Sequence, residues 1–76
     1  MPKVPQTTGK KAKKAFERAG FVEDRMNGSH CILKKPGHKY VLSIPMHDGK
    51  NLGFGLLRSL IQDSGLTIDR FNELLK

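Results

Sequence analysis

Tryptophan is absent from this chain of 76 residues, tyrosine occurs once and phenylalanine four times. So few aromatic rings exclude an extended base-stacking platform of the kind that holds long single strands. The single cysteine, Cys31, cannot form an internal disulfide. That argues against a stapled secreted scaffold and fits a reducing compartment, so a cytoplasmic location is expected. No apolar run approaches the ~18 residues a membrane span needs. The basic N-terminus has no apolar stretch behind it, so neither a membrane partner nor a signal peptide is expected. There is no paired-carboxylate motif, no Ser-His-Asp arrangement and no phosphate loop; Gly53 and Gly55 flank Phe54 without forming one. His30, Cys31, His38 and His47 match no zinc spacing, and no metal or cofactor is expected. The length allows one domain, 1–76, with its core at about 8–75. A chain this short buries only roughly 60% of its unfolded surface, which excludes a large substrate-enclosing cleft.

Acids are scarce as well: Asp and Glu number 7 against 14 Lys and Arg, for a formal net charge of +7. The excess is one-sided. Lys3, Lys10, Lys11, Lys13 and Lys14 stand without an acid in residues 1–14, whereas acids and bases balance in residues 51–76. One-sided basicity in a small domain points to a polyanion, usually nucleic acid, with solubility alone as the bland alternative.

Hydrophobic spacing orders the chain as one helix, three strands and two helices. Residues 1–7, with Pro2 and Pro5, read as an irregular lead-in. Thr8 is a candidate N-cap, Ala12, Ala15, Phe16 and Ala19 recur at helical spacing, and Gly20 is a good stop, so a helix is predicted over about 8–19. Phe21 to Met26 reads as a strand. Asn27-Gly28 then signals a hairpin with a type I′ turn, in which both residues take positive φ. Ser29 to Lys35 is the second strand, Pro36-Gly37 opens a turn, and Tyr40 to Ile44 is the third strand, closed by Pro45. Leu56, Leu57, Leu60 and Ile61 give a second helix over about 54–64, ended by Gly65. Thr67 can cap a last helix whose Ile68, Phe71, Leu74 and Leu75 share one side. The fold class is α+β: an antiparallel three-stranded sheet packed on helices, in the α-β-β-β-α order of double-stranded-RNA-binding domains.

Gly28-Ser29-His30 is the most informative stretch. It places a histidine at the start of a strand, just past a tight turn, among Arg25, Lys34, Lys35 and Lys39. Histidine transfers protons near neutral pH, and cations hold a phosphate and stabilise the charge that develops on it. This is what phosphodiester cleavage needs; on spacing alone, His30 also reads as an ordinary polar residue beside a turn. His47 and Lys50 form a second stretch that can meet a phosphate, or simply a turn at Asp48-Gly49. Cys31 shares a strand face with Leu33 and reads as a packed core side chain.

With those residues in place, the chain resembles the HicA-type (YcfA-like) mRNA interferase toxins of toxin–antitoxin systems. Arg25-Met26-Asn27-Gly28-Ser29-His30 carries the R-x-x-G-S-H pattern. Ser43-Ile44-Pro45-Met46-His47 matches the V-P-x-H strand end, Leu52 to Ile61 the G-x-L-R-x-I helix start, and Leu66 to Phe71 the tail. Coverage is about residues 8–75. The resemblance implies a double-stranded-RNA-binding-like fold and a metal-independent endoribonuclease that cleaves mRNA and arrests growth. It implies His30 as the active histidine, and a HicB-type antitoxin that covers the site, often in a larger hetero-oligomer. Position 31 is cysteine where many relatives carry a second histidine or an aromatic residue, so Ser29, His47 and nearby lysines are the candidates to assist. Lys10, Lys14, Arg25, Lys34, Lys35 and Lys39 are the expected RNA contacts, and Asn27 and Gly28 the expected turn. The rival readings are a non-catalytic double-stranded-RNA-binding module of the same fold and a purely protein-binding partner.

Overall fold

The computed structural model describes residues 3–76. The start of the expected lead-in, Met1 and Pro2, lies outside the described residues. Helix α1 spans Gly9–Arg18, strands β1, β2 and β3 span Val22–Asn27, His30–Lys34 and Leu42–Pro45, and helices α2 and α3 span Phe54–Ser64 and Ile68–Leu75. The strands form one antiparallel sheet in the order β1-β2-β3. This is the α+β order expected from the hydrophobic spacing.

Local chemistry sets the helix ends. Thr8 accepts from the Lys11 N–H at 3.3 Å and Thr67 from the Arg70 N–H at 3.1 Å, each satisfying a free donor of a first turn. Gly20 and Gly65 take positive φ just past α1 and α2, where a side chain would strain the backbone. Ala12 and Ala15 are fully buried and small enough to let α1 lie close on the sheet. Phe16 then reaches Phe21 (ring centroids 6.1 Å apart) and Phe71 of α3 (5.0 Å). Arg18, in the last turn of α1, donates to the carbonyls of Leu74 and Lys76 and so ties down the end of α3. Cys31, Leu33, Leu42 and Ile44 supply the sheet's side of the core, and Leu57, Leu60 and Ile61 the α2 side.

Four details differ from the spacing argument. Asn27 closes β1 and pairs with His30, so the hairpin turn falls on Gly28-Ser29 rather than Asn27-Gly28. Gly28 alone there has positive φ (62°). A turn of that pattern needs glycine only at its first central position, and serine serves at the second. The third strand starts at Leu42, not Tyr40: β2 ends at Lys34, Leu33↔Leu42 is the last pair, and Tyr40 and Val41 stand outside the ladder. Pro45 sits inside β3 rather than beyond it, opposite His30 at the sheet corner. In α2, Leu56 faces solvent, and Ser64 takes a buried place instead by donating to the Ile61 carbonyl at 2.6 Å. No helix among the described residues is long and apolar enough to cross a membrane.

Candidate nucleic-acid interface

Cys31 and Leu33 point into the core, so strand alternation turns His30, Ile32 and Lys34 to the other face of the sheet. Residues directly opposite one another share a face. The register therefore lays two rows across this outer face: Asn27, His30 and Pro45 at the turn end, then Arg25, Ile32 and Ser43. A third row holds Val22 and Lys34. His30 is exposed, and no ion pair among the described residues includes it.

The backbone around His30 is held from three sides. Its β1 neighbour is Asn27 and its β3 neighbour Pro45. Proline has no N–H to give, and the next residue, Met46, donates to the Ser29 carbonyl at 2.8 Å. From the core side, Gly9 brings the start of α1 against the Pro45 carbonyl, so close that a Cβ there would lie 2.2 Å from that oxygen. Ser29 is exposed within the turn. His47 lies two residues past β3, where with Thr8, Lys10, Met46, Asp48 and Gly49 it lines a cavity of about 90 Å³. Lys10 thus reaches the corner from the helical layer, while Lys14, one turn further along α1, is exposed.

The expected cationic set does not form one patch. Asp24 is the reason for part of this. The β1–β2 register shifts between Glu23 and Arg25, leaving Asp24 as the extra residue of a bulge. Its carboxylate takes both an Arg25 guanidinium hydrogen bond and the Lys34 ammonium at 3.4 Å. The Arg25 hydrogen bond, with Lys34 adding to it, holds the Asp24 carboxyl below the usual carboxylate range. Two of the expected RNA contacts are therefore bound to an internal anion on the His30 face. Lys35 is half-buried with its Nζ 5.7 Å from the Phe21 ring centroid, and Lys39 lies over Tyr40 at 5.5 Å. Both stand at the β2–β3 turn, the far end of the sheet from His30.

On the opposite face, Glu23 pairs with Lys13 of α1 at 2.9 Å, and that contact lowers the Glu23 pKa and raises that of Lys13. Cys31 is fully buried, and burial pushes its thiol pKa up, in keeping with a packed side chain rather than a nucleophile. Among the described residues, no three His, Cys, Asp or Glu side chains cluster as a metal site would require.

Spacing arguments missed two residues. In sequence Asp24 is one more charge within the Phe21–Met26 strand, and nothing in that spacing marks the bulge. Spacing offers His38 only as a metal ligand, yet its Nε2 donates to the Asp63 carbonyl at 2.6 Å and pins the β2–β3 turn to the end of α2. Residues 9–66 match the family model described as HicA toxin of bacterial toxin–antitoxin. No curated protein matches the chain.

Proposed function

The chain belongs to the HicA toxin family of bacterial toxin–antitoxin systems, and from that premise we propose that it is a metal-independent endoribonuclease that cleaves mRNA with His30. Its neutralising partner, in this reading, is a HicB-type antitoxin; membership of a toxin–antitoxin family implies an antitoxin in general. The observation that carries the proposal is the placement of His30. A solvent-facing imidazole stands on the first residue of the central strand, whose backbone is held by Asn27, Pro45 and the Met46–Ser29 hydrogen bond, on the face that carries Arg25 and Lys34.

The chemistry follows from that setting. The ribose 2′-oxygen attacks the adjacent phosphorus, the O2′–P bond forms and the P–O5′ bond breaks. The products are a 2′,3′-cyclic phosphate and a 5′-hydroxyl. One imidazole either takes the proton of the 2′-hydroxyl or gives one to the leaving O5′. Ser29, His47 or water takes the complementary role. Arg25, in the row next to His30, would exchange Asp24 for the phosphate and stabilise the extra negative charge on the phosphoryl oxygens. Contacts of this kind position RNA without reading its sequence.

The test is RNA cleavage in EDTA by the wild type and by His30→Ala, both shown to be folded. Cleavage by the first alone, with DNA of the same sequence left intact, is the expected result. Equal cleavage by the two proteins would remove His30 from the mechanism. Absence of cleavage with salt-dependent RNA binding retained would identify a non-catalytic binding module instead.

A further inference from the structure

A groove of about 330 Å³ opens at the end of the sheet remote from His30, between β1 and the β2–β3 turn. Val22, Lys34, Lys35, His38, Tyr40 and Val41 are among the residues that line it. Three of these are exposed apolar or aromatic side chains: Val22 at 57%, Tyr40 at 48% and Val41 at 53%. We propose that this groove is an RNA subsite that takes one unpaired nucleotide, its base on Tyr40 and its phosphate among Lys34, Lys35 and Lys39. The inference rests on the ribonuclease reading and adds to it a contact well away from the cleaved bond.

Four observations favour this occupant. The groove's volume sits at the low end of small-ligand pockets, right for one nucleoside rather than a helix or a peptide strand. Its charged rim is cationic: Lys34 and Lys35 line it, and Lys39 holds its ammonium 5.5 Å from the Tyr40 ring centroid. The Tyr40 ring is braced in a T-shaped pair with the His38 ring, centroids 6.3 Å apart, and His38 is in turn fixed on the Asp63 carbonyl. A braced ring loses little freedom when a base stacks on it. Finally, the groove is in line with the candidate catalytic residue. Lys34 is four residues along β2 from His30 on the same face, about 13 Å at the strand rise. A single strand passing His30 can therefore reach Tyr40 a few nucleotides on. The chain's lone tyrosine also accounts for a single stacking position in a protein too poor in aromatics for a platform.

The test uses the full chain and a labelled single-stranded decamer of 2′-O-methyl ribonucleotides, which cannot be cleaved by 2′-oxygen attack. Tyr40→Ala is expected to weaken binding about 5- to 150-fold, the range for losing one base–aromatic stack. Tyr40→Phe should bind as the wild type does. An abasic nucleotide walked along the decamer should weaken wild-type binding at one position and leave Tyr40→Ala unaffected there, the coupling expected of a direct contact. Equal binding by wild type and Tyr40→Ala overturns the subsite, whether or not His30 cleaves RNA. Loss of binding to the antitoxin but not to RNA would make the groove a protein-docking surface and also overturns it. Equal dependence on Tyr40 with the annealed duplex would do the same, because paired bases cannot enter. If Tyr40-dependent binding holds while unmodified RNA stays uncut, the subsite stands and the ribonuclease reading falls.

Discussion

Replacing Gly9 with alanine should lower stability even though alanine is the better helix former. Gly9 is buried at the first position of α1. An ideal Cβ there would sit 2.2 Å from the Pro45 carbonyl oxygen and 3.3 Å from the Met46 Sδ, against ordinary contacts that begin at 3.4 Å. The thioether can swing away, but the carbonyl belongs to β3 opposite His30 and cannot move without shifting the sheet corner. Overpacking of this sort costs about 1–3 kcal/mol. Higher helix propensity returns at most ~1 kcal/mol. Because the clashing atom is backbone, the upper part of the overpacking range, about 2–3 kcal/mol, applies, and the net loss is about 1–2 kcal/mol, or roughly 4–16 °C in Tm for a domain of this size. Gly55 is the control: it lies in α2, has negative φ and has nothing within 4 Å of its Cβ position. Gly55→Ala should gain about 0.5 kcal/mol from propensity alone. Thermal melts followed by circular dichroism read both variants against the wild type. A Gly9→Ala protein that melts at or above the wild-type temperature would falsify the close approach of α1 to β3, and with it the account of what holds His30.

Other perturbations test the charges and the core. Asp24→Ala frees Arg25 and Lys34, so RNA binding should tighten and its logarithmic salt dependence should steepen by about 0.7 for each further phosphate neutralised; an unchanged slope would show that these cations do not reach the RNA. Glu23 and Asp24 have pKa values lowered by folding, so the stability they contribute is present above the unfolded carboxylate values and is lost as pH falls through the folded ones. Lys13, raised from its ordinary 10.5, gives the opposite limb: its contribution is present below that value and is lost as pH rises past the folded one. A plot of Tm against pH should therefore fall at both ends, and Glu23→Gln should make both limbs shallower, with Asp24 keeping part of the acid limb and Glu17 part of the alkaline one; an unaltered profile would count against the pairing. Phe71 is the one fully buried side chain of α3, so Phe71→Ala should cost about 3–5 kcal/mol, read by urea unfolding, and a loss below ~1 kcal/mol would mean that α3 is not part of the core. Cys31, buried with a raised thiol pKa, should resist alkylation until the protein unfolds, as mass spectrometry after iodoacetamide would show.

The sequence carried the architecture because the helices and strands here are marked by their own residues. Thr8, Gly20, Thr67 and Gly65 terminate helices by hydrogen bonding or positive φ, effects that act within four residues and need no tertiary partner. Cys31 and Leu33 face the core while His30 and Lys34 are exposed, so the face of each is readable from alternation, although Ile32 between them is buried on the outer face. What was not readable depended on pairing. The turn moved onto Gly28-Ser29 because register is shared by two strands, and Asn27 alone does not decide it. Tyr40 has strong strand propensity but no partner left to pair with, since β2 ends at Lys34. The cationic set was legible as composition, yet its division between Asp24, Phe21 and Tyr40 follows from a bulge and two ring contacts that no spacing rule reveals.

The bulge at Asp24 has a further consequence, for the concentrated protein. All six residues of β1 are exposed, and with β2 on one side only, the strand offers a free edge to solvent. A straight free edge is a template on which another copy can add its own strand, the first step toward aggregates. The extra residue kinks and twists that edge, and Glu23, Asp24 and Arg25 crowd it with charge. Deleting Asp24 would leave Glu23 against Leu33 and Arg25 against Ile32 in unbroken register, with the edge flat and one guarding charge fewer. Such a chain could fold as before and still precipitate, so solubility in this small domain depends on the irregularity of one strand as well as on net charge.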